Sequence, residues 1–395
     1  MTTATLRSRR LSLPDYFAAV ERFAAEGWTD GLPIVPPTAE RVETMLAVLG
    51  REPGEVVGRL APRFGVATLE KVAINAAMAG CRPEYFPVVV AAIEAVADDE
   101  FNLNGVQATT HVAAPLCIVN GPVRRTLDIN GGPNCFGQGW RANATIGRAV
   151  RLCMINLGGG LPGLTDKATF GHPGKYTYCV AEQEEASPWE PLHVSRGFRP
   201  DQSTVTLFAA EAPHSVSDHV SRTGRGILTT VADTLATMGN NNMYKQGECL
   251  VVIGVEHAQT LAEEGWGRRD VQQFLFETAR RPLHRLKQGG EYYGDATWEK
   301  YWPKWIDRTD ENALIPVVSR PEDLLVIVAG GSVGRFSLVI PGWGRLGSRA
   351  VTKVVAAVPA VAAARSDTDR TVSGTPAASA TGTRDGKSRG DQDAR

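Results

Sequence analysis

Three short apolar runs, 115–119 (PLCIV), 249–254 (CLVVIG) and 324–329 (LLVIVA), constrain this chain most. None alternates apolar with polar residues, as a strand with one wet face would. A continuous apolar run of this length bounded by turn residues reads as a strand covered on both faces. The turns are Asn120-Gly121-Pro122, Gly254, and Gly330-Gly331-Ser332. Helical spacing fills the intervals. It is seen over 13–26, from Thr38 as a cap through Leu49, over 69–80, 85–98, 143–156, 227–238 and 260–264, and in a further helix capped by Asp270. Ile34-Val35 and 203–208 read as additional strands, and 336–340 as a hairpin partner of the third apolar run. The expectation is an α/β fold with mixed or mainly parallel sheets flanked by helices. A weak internal echo supports it. LPIVPPTAERVETML, PLCIVNGPVRRTL and CLVVIGVEHAQTL each read as strand, turn and polar helix start, at intervals too unequal for a repeat array.

Residues 1–10 read as a flexible leader and 11–355 as the folded unit, with a subdivision near 11–200 and 201–355. From 356 to 395 small and polar residues dominate and no aromatic occurs, so this tail is expected to be disordered. A formal net charge of −1 gives no reason to expect nucleic acid or an anionic membrane as a partner. No run approaches the roughly 18 apolar residues that span a bilayer, and no signal-peptide pattern opens the chain, so a cytoplasmic location is expected. Six scattered cysteines without a CxxC pair argue against a zinc ribbon or a dithiol motif.

A glycine-rich stretch from 131 to 198 combines irregular patterning with many reactive side chains. Long ordered loops inside a folded unit usually carry a site. Here lie Cys135, Arg141, Asn143, Lys167, His172, Lys175, Glu182, Glu184, Glu185, Trp189 and His193. The loop 137–140 feeding a helix, with Arg141 and Arg148, suits an anion. It matches neither the P-loop nor the dinucleotide fingerprint, so no nucleotide or flavin cofactor is implied. Just before the first apolar strand, Asn104, Gln107 and His111 cluster with other polar residues. His111 is a candidate for proton transfer. Closely spaced carboxylates at 182, 184 and 185, with His193, could divide into acid and base roles. His257 follows the second apolar strand, where α/β sheets bind ligands. His214 and His219 with Asp218 leave a metal site open, without a standard ligand spacing. The tryptophans at 298, 302 and 305 suit a lid or a subunit interface, and a homodimer is the general expectation.

The phrases DGLPIVPPT, GVQATTH, RANATIGRAVR, PGKYTYC, EEASPWEPLHV and GVEHA resemble those of a little-characterised bacterial family. That family is associated with, adjacent to or fused with, small thiol or selenol proteins carrying a Sec-Gly-Ser-Cys motif. The resemblance spans about 27–345. It implies a thiol or selenol partner protein, since this chain has no Cys-Gly-Ser-Cys motif of its own.

These readings converge on a small-molecule enzyme of hydrolase or lyase type that cleaves a carbon–heteroatom bond in an anionic substrate. His111, Glu185, His193 and His257 are the expected acid–base residues. Asn104, Gln107, Arg141, Asn143, Arg148, Lys175 and Trp189 are the expected substrate-binding residues. A redox subunit working through Cys135 or a partner thiol, and a non-catalytic scaffold, are the alternatives. Convergence of His111, Arg141, Glu185 and His257 separates the enzyme reading from the scaffold.

Overall fold

The apolar runs form the centres of two sheets. The computed structural model describes residues 6–292, 302–344 and 347–358. In chain order the strands are β1 (Val56–Leu60), β2 (Gly65–Thr68), β3 (Ala114–Asn120), β4 (Cys179–Ala181), β5 (Thr204–Ala210), β6 (His214–Ser217), β7 (Cys249–Ile253), β8 (Arg280–Pro282), β9 (Leu314–Pro316), β10 (Leu324–Val328), β11 (Phe336–Pro341) and β12 (Val351–Val354). The longer helices are α1 (Tyr16–Ala25), α2 (Ala39–Leu49), α3 (Leu69–Ala79), α4 (Phe86–Val96), α5 (Arg141–Asn156), α6 (Gly224–Leu235), α7 (Val255–Glu263) and α8 (Arg268–Thr278).

One four-stranded sheet has the order β12-β5-β3-β4 and the other β10-β7-β11-β6. Read outward from β4 and from β10, both sheets pair parallel, then antiparallel, then antiparallel. β3 and β7 are therefore equivalent centres, as the second and third phrases of the sequence echo suggested. The first phrase is not a strand, since 33–38 has no ladder and Val35 N–H donates singly to the Met78 carbonyl.

The alternation along each strand sorts side chains into layers. Leu116, Ile118, Phe208, Leu250, Val252, Leu325, Ile327 and Ile340 meet in a shared core between the two sheets. Their neighbours Cys117, Val119, Val205 and Leu207 turn to a core with α2 to α5. Val251, Ile253, Val326 and Val328 turn to a core with α6 to α8. The result is a four-layer α–β–β–α arrangement, which explains why β3, β7 and β10 are apolar on both faces.

Several expectations change. β11 pairs with β7 and β6, not with β10. The sheet division falls after β5 rather than at 200, and β12 returns to the first sheet. Asp270 is not a cap residue but binds back from the first turn of α8 to the Gly267 N–H. Part of the presumed leader is pinned, because Arg7 and Ser8 donate backbone N–H groups to the buried Glu70 carboxylate. Trp302 is a core residue whose indole N–H reaches the Tyr244 carbonyl at 3.0 Å, so it is not a lid. Trp298 and the tail from 359 lie outside the described residues. Among the described residues no helix is long and apolar enough to cross a membrane.

The helix α5 lies against the loop that follows it through a glycine. A Cβ on Gly147 would sit 2.5 Å from both Thr177 Oγ1 and the Tyr178 backbone nitrogen. Gly147→Ala must push the helix off that loop, and overpacking of this kind costs about 1–3 kcal/mol. Chemical denaturation should show the loss directly.

Candidate functional site

A cleft of about 650 Å³ opens beside the C-terminal half of α5. Its floor includes Arg151 and Ile155 from the helix, and its walls come from Thr29–Gly31 and from the loop 160–176. Arg148, Arg151 and Ile155 are spaced three and four residues apart, which puts them on one helix face. After α5 the chain turns through Gly159 at φ 69°. Thr165 Oγ1 donates to the Gly159 carbonyl and accepts from Leu161 N–H, which closes a tight loop and sets Asp166 against the cleft. His172 Nδ1 accepts the Gly174 N–H at 3.1 Å and starts the turn Pro173–Lys175, which aims Lys175 at Asp166.

Asp30, Asp166, Arg151 and Lys175 line this cleft, and Arg148, bound to Asp30, brings one cation in excess. Lys175 Nζ contacts both Asp166 oxygens, at 2.9 and 2.6 Å. Arg148 makes a two-point contact with Asp30 at 2.7 and 2.8 Å. Arg151 has no hydrogen-bond or ion-pair partner among the described residues, although it is only 8% exposed. Burial lowers its pKa while Asp166 and Asp30 act in the opposite sense. A guanidinium stays protonated throughout. Buried charges are normally paired and hydrogen-bonded, so a lone one facing a cleft marks a place for an anion.

Burial also lowers the Lys175 pKa, against the hydrogen bond it donates to Asp166, and lowers that of His172. His172 is a positioning group here. Its Nδ1 is occupied, and its buried Nε2 has no hydrogen bond among the described residues. A larger cavity of about 940 Å³ beside α1 and α3 is walled mostly by apolar side chains. Its buried carboxylate, Glu70, is already taken by the amides of Arg7 and Ser8.

Of the residues expected from sequence, Lys175 is in the cleft and Gln107 and His111 lie next to it. Gln107 is buried behind Gly160 and donates to the Ala61 carbonyl. His111 Nε2 meets Glu211 at 2.8 Å and its Nδ1 accepts the Ala113 N–H, so both ring nitrogens are occupied. The carbonyl of Thr110 holds Thr169 of the cleft loop.

The other expected residues do not line the cleft. Arg141 is exposed and donates twice to the Gly80 carbonyl. Asn143 is buried and satisfies the backbone of Asn130 and Cys179. Arg148 is consumed by Asp30. Asn104 is exposed on a short helix. Trp189 donates its indole N–H to the Trp266 carbonyl at 2.8 Å. Glu185 pairs with Arg124 and Arg125. His257 is fully buried and satisfied by Ser337 Oγ at 2.8 Å and the Asp218 carbonyl at 3.1 Å. His111, Arg141, Glu185 and His257 are each engaged with different neighbours and do not form one site, so the enzyme reading built on those four residues falls and any catalytic reading must rest on other side chains. Cys135 is buried, and burial pushes its thiol up to about 11, which keeps it protonated near neutral pH.

His214 and His219 are exposed. Burial acts against ionisation of Asp218, but bonds from Ser221, Thr230 and Val220 outweigh it and hold the carboxyl at about 2. No group of three His, Cys, Asp or Glu side chains able to hold a metal occurs among the described residues.

Neither protein-family models nor curated proteins give a match to this chain.

A second polar cluster sits inside the molecule, at the carboxyl ends of β3 and β4. Glu182 is fully buried, and its Oε2 accepts from Asn120 Nδ2 at 2.6 Å and Leu192 N–H at 2.7 Å. Its Oε1 has no hydrogen bond, with Arg268 Nη2 at 3.6 Å. His193 is fully buried, and neither ring nitrogen makes a well-formed hydrogen bond among the described residues, although the backbone at Arg199 and Pro200 acts on the ring. Burial raises the Glu182 pKa and Arg268 opposes it. The folded chain therefore holds this proton more tightly than the unfolded chain, and stability falls as pH rises from the ordinary carboxyl value, about 4.3, through the raised one. Glu182→Gln removes that term. Its melting temperature relative to wild type should climb between pH 4 and pH 8, and a constant difference would contradict the assignment.

Proposed function

We propose that the cleft beside α5 binds a small organic anion and that the protein is an enzyme cleaving a carbon–heteroatom bond in it. The reading rests on Arg151, a buried guanidinium with no hydrogen-bond or ion-pair partner among the described residues, facing a cleft that also contains the Lys175–Asp166 pair. An incoming carboxylate or phosphate would supply the missing bidentate acceptor. Lys175 would then stand beside the bound anion as a proton donor to the departing heteroatom. In a hydrolysis it would recover that proton from the attacking water. Asp166 keeps the ammonium in place, and His172 fixes the turn that carries it. General acid catalysis of this kind contributes roughly 10²–10⁴-fold.

The test is a mass-spectrometric screen of small carboxylates and phosphate esters with wild-type protein, with Arg151→Met as control and heat protection measured in parallel. The expected result is at least one anion consumed by the wild type and spared by the variant. Protection without consumption would leave a binding protein and overturn the enzyme half of the proposal. No protection by any anion would overturn both halves.

A further inference from the structure

The same cleft contains a second energetic anomaly. Phe170 and Tyr176 both line it, 91% and 48% exposed. A single exposed aromatic side chain is ordinary on a protein surface. Two of them on the wall of a cleft whose floor is an unpartnered guanidinium are a different case. Arg151 requires an anion, while Phe170 and Tyr176 offer flat apolar surface at the opening. One ligand answers both if it is charged at one end and planar and apolar at the other. The remaining lining charges add no demand for a second ligand charge, because Lys175 is matched by Asp166, and Asp30 by Arg148.

Building on the anion reading above, we infer that the natural ligand is an aromatic monocarboxylate, its carboxylate on Arg151 and its ring against Phe170 and Tyr176. Phe170 is then a specificity residue, selecting the ring end and leaving the carboxylate contact alone. Ring-to-ring contact adds a modest directional preference to the area buried.

Calorimetric titration of the full chain with acetate, phenylacetate and phenylacetamide tests this. Phenylacetate should bind wild type at least roughly tenfold more tightly than acetate, and Phe170→Ala should remove most of that advantage while leaving acetate affinity unchanged. Equal affinity of wild type for acetate and phenylacetate would overturn the inference, with the anion reading intact. So would an advantage that survives Phe170→Ala. Loss of self-association in Phe170→Ala with unchanged affinities would also overturn it, by placing Phe170 in a subunit contact. The anion reading fails separately if phenylacetamide binds as well as phenylacetate, or if Arg151→Met leaves phenylacetate affinity unchanged.

Discussion

Arg151→Met should lose anion binding and gain stability at once. Truncating one partner of a desolvated charged contact costs about 2–5 kcal/mol, which is roughly 30-fold to several-thousand-fold in affinity. Methionine keeps the length of the arginine stem, so the helix face next to Ile155 stays filled. What disappears is a mostly buried charge that makes no hydrogen bond to the described residues. Replacing buried charged groups with well-packed apolar ones is often stabilising, by about 1–4 kcal/mol. Heat denaturation without ligand should therefore place the variant above wild type, and titration with small carboxylates should reverse the order as only the wild type is protected. A variant less stable than wild type in the absence of anion would mean that Arg151 is held by contacts inside the fold, and the cleft would lose its claim to be a site.

That residue also shows where sequence reading ends. Arg148 and Arg151 stand three apart in one helix and present the same local pattern. They differ because Asp30, 118 residues before Arg148, takes the first and leaves the second alone. Pairing over such a distance leaves no local trace. The signal on offer was Arg151 one turn beyond Arg148 on the same helix face, but the loop at the helix start drew attention to Arg141 and Arg148 only. Lys175 was legible because it lies in the glycine-rich loop among other reactive side chains, whereas its partner Asp166, only 9 residues away, was not singled out.

The fold divides in the same way. β3, β7 and β10 were readable because burial on both faces makes them continuously apolar. β4 is three residues long and β6 reads HSVS with an exposed edge, so neither rises above its surroundings. β11 was recognised as a strand but given the wrong neighbour. Strand composition records burial, whereas the choice of β7 as partner is set by the packing of two whole sheets. The convergence expected of His111 and His257 failed for a physical reason. A histidine beside an apolar strand can meet its needs from a nearby carbonyl, hydroxyl or carboxylate, and both do.

Lys175 offers the second large effect. Lys175→Met should reduce turnover of the screened substrate by roughly 10²–10⁴-fold through loss of the proton donor. It also strands Asp166 in a buried setting, so a companion is needed. Lys175→Arg preserves the charge and the ion pair, but a guanidinium does not give up its proton in this pH range. It should bind the anion at near wild-type affinity and still fail to turn it over. Retained turnover in Lys175→Arg would reduce Lys175 to an electrostatic role. The pH profile gives an independent check. Burial places the Lys175 pKa below its ordinary value of about 10.4, with Asp166 opposing. Turnover carried by the ammonium should be level at lower pH and fall as pH rises through that depressed value. Stability should move the other way. Between the depressed and ordinary values the unfolded chain binds the proton more fully than the folded one, so the folded state gains as pH rises. Activity falling while stability climbs across one alkaline window is the signature of Lys175, and it should be absent from Lys175→Arg.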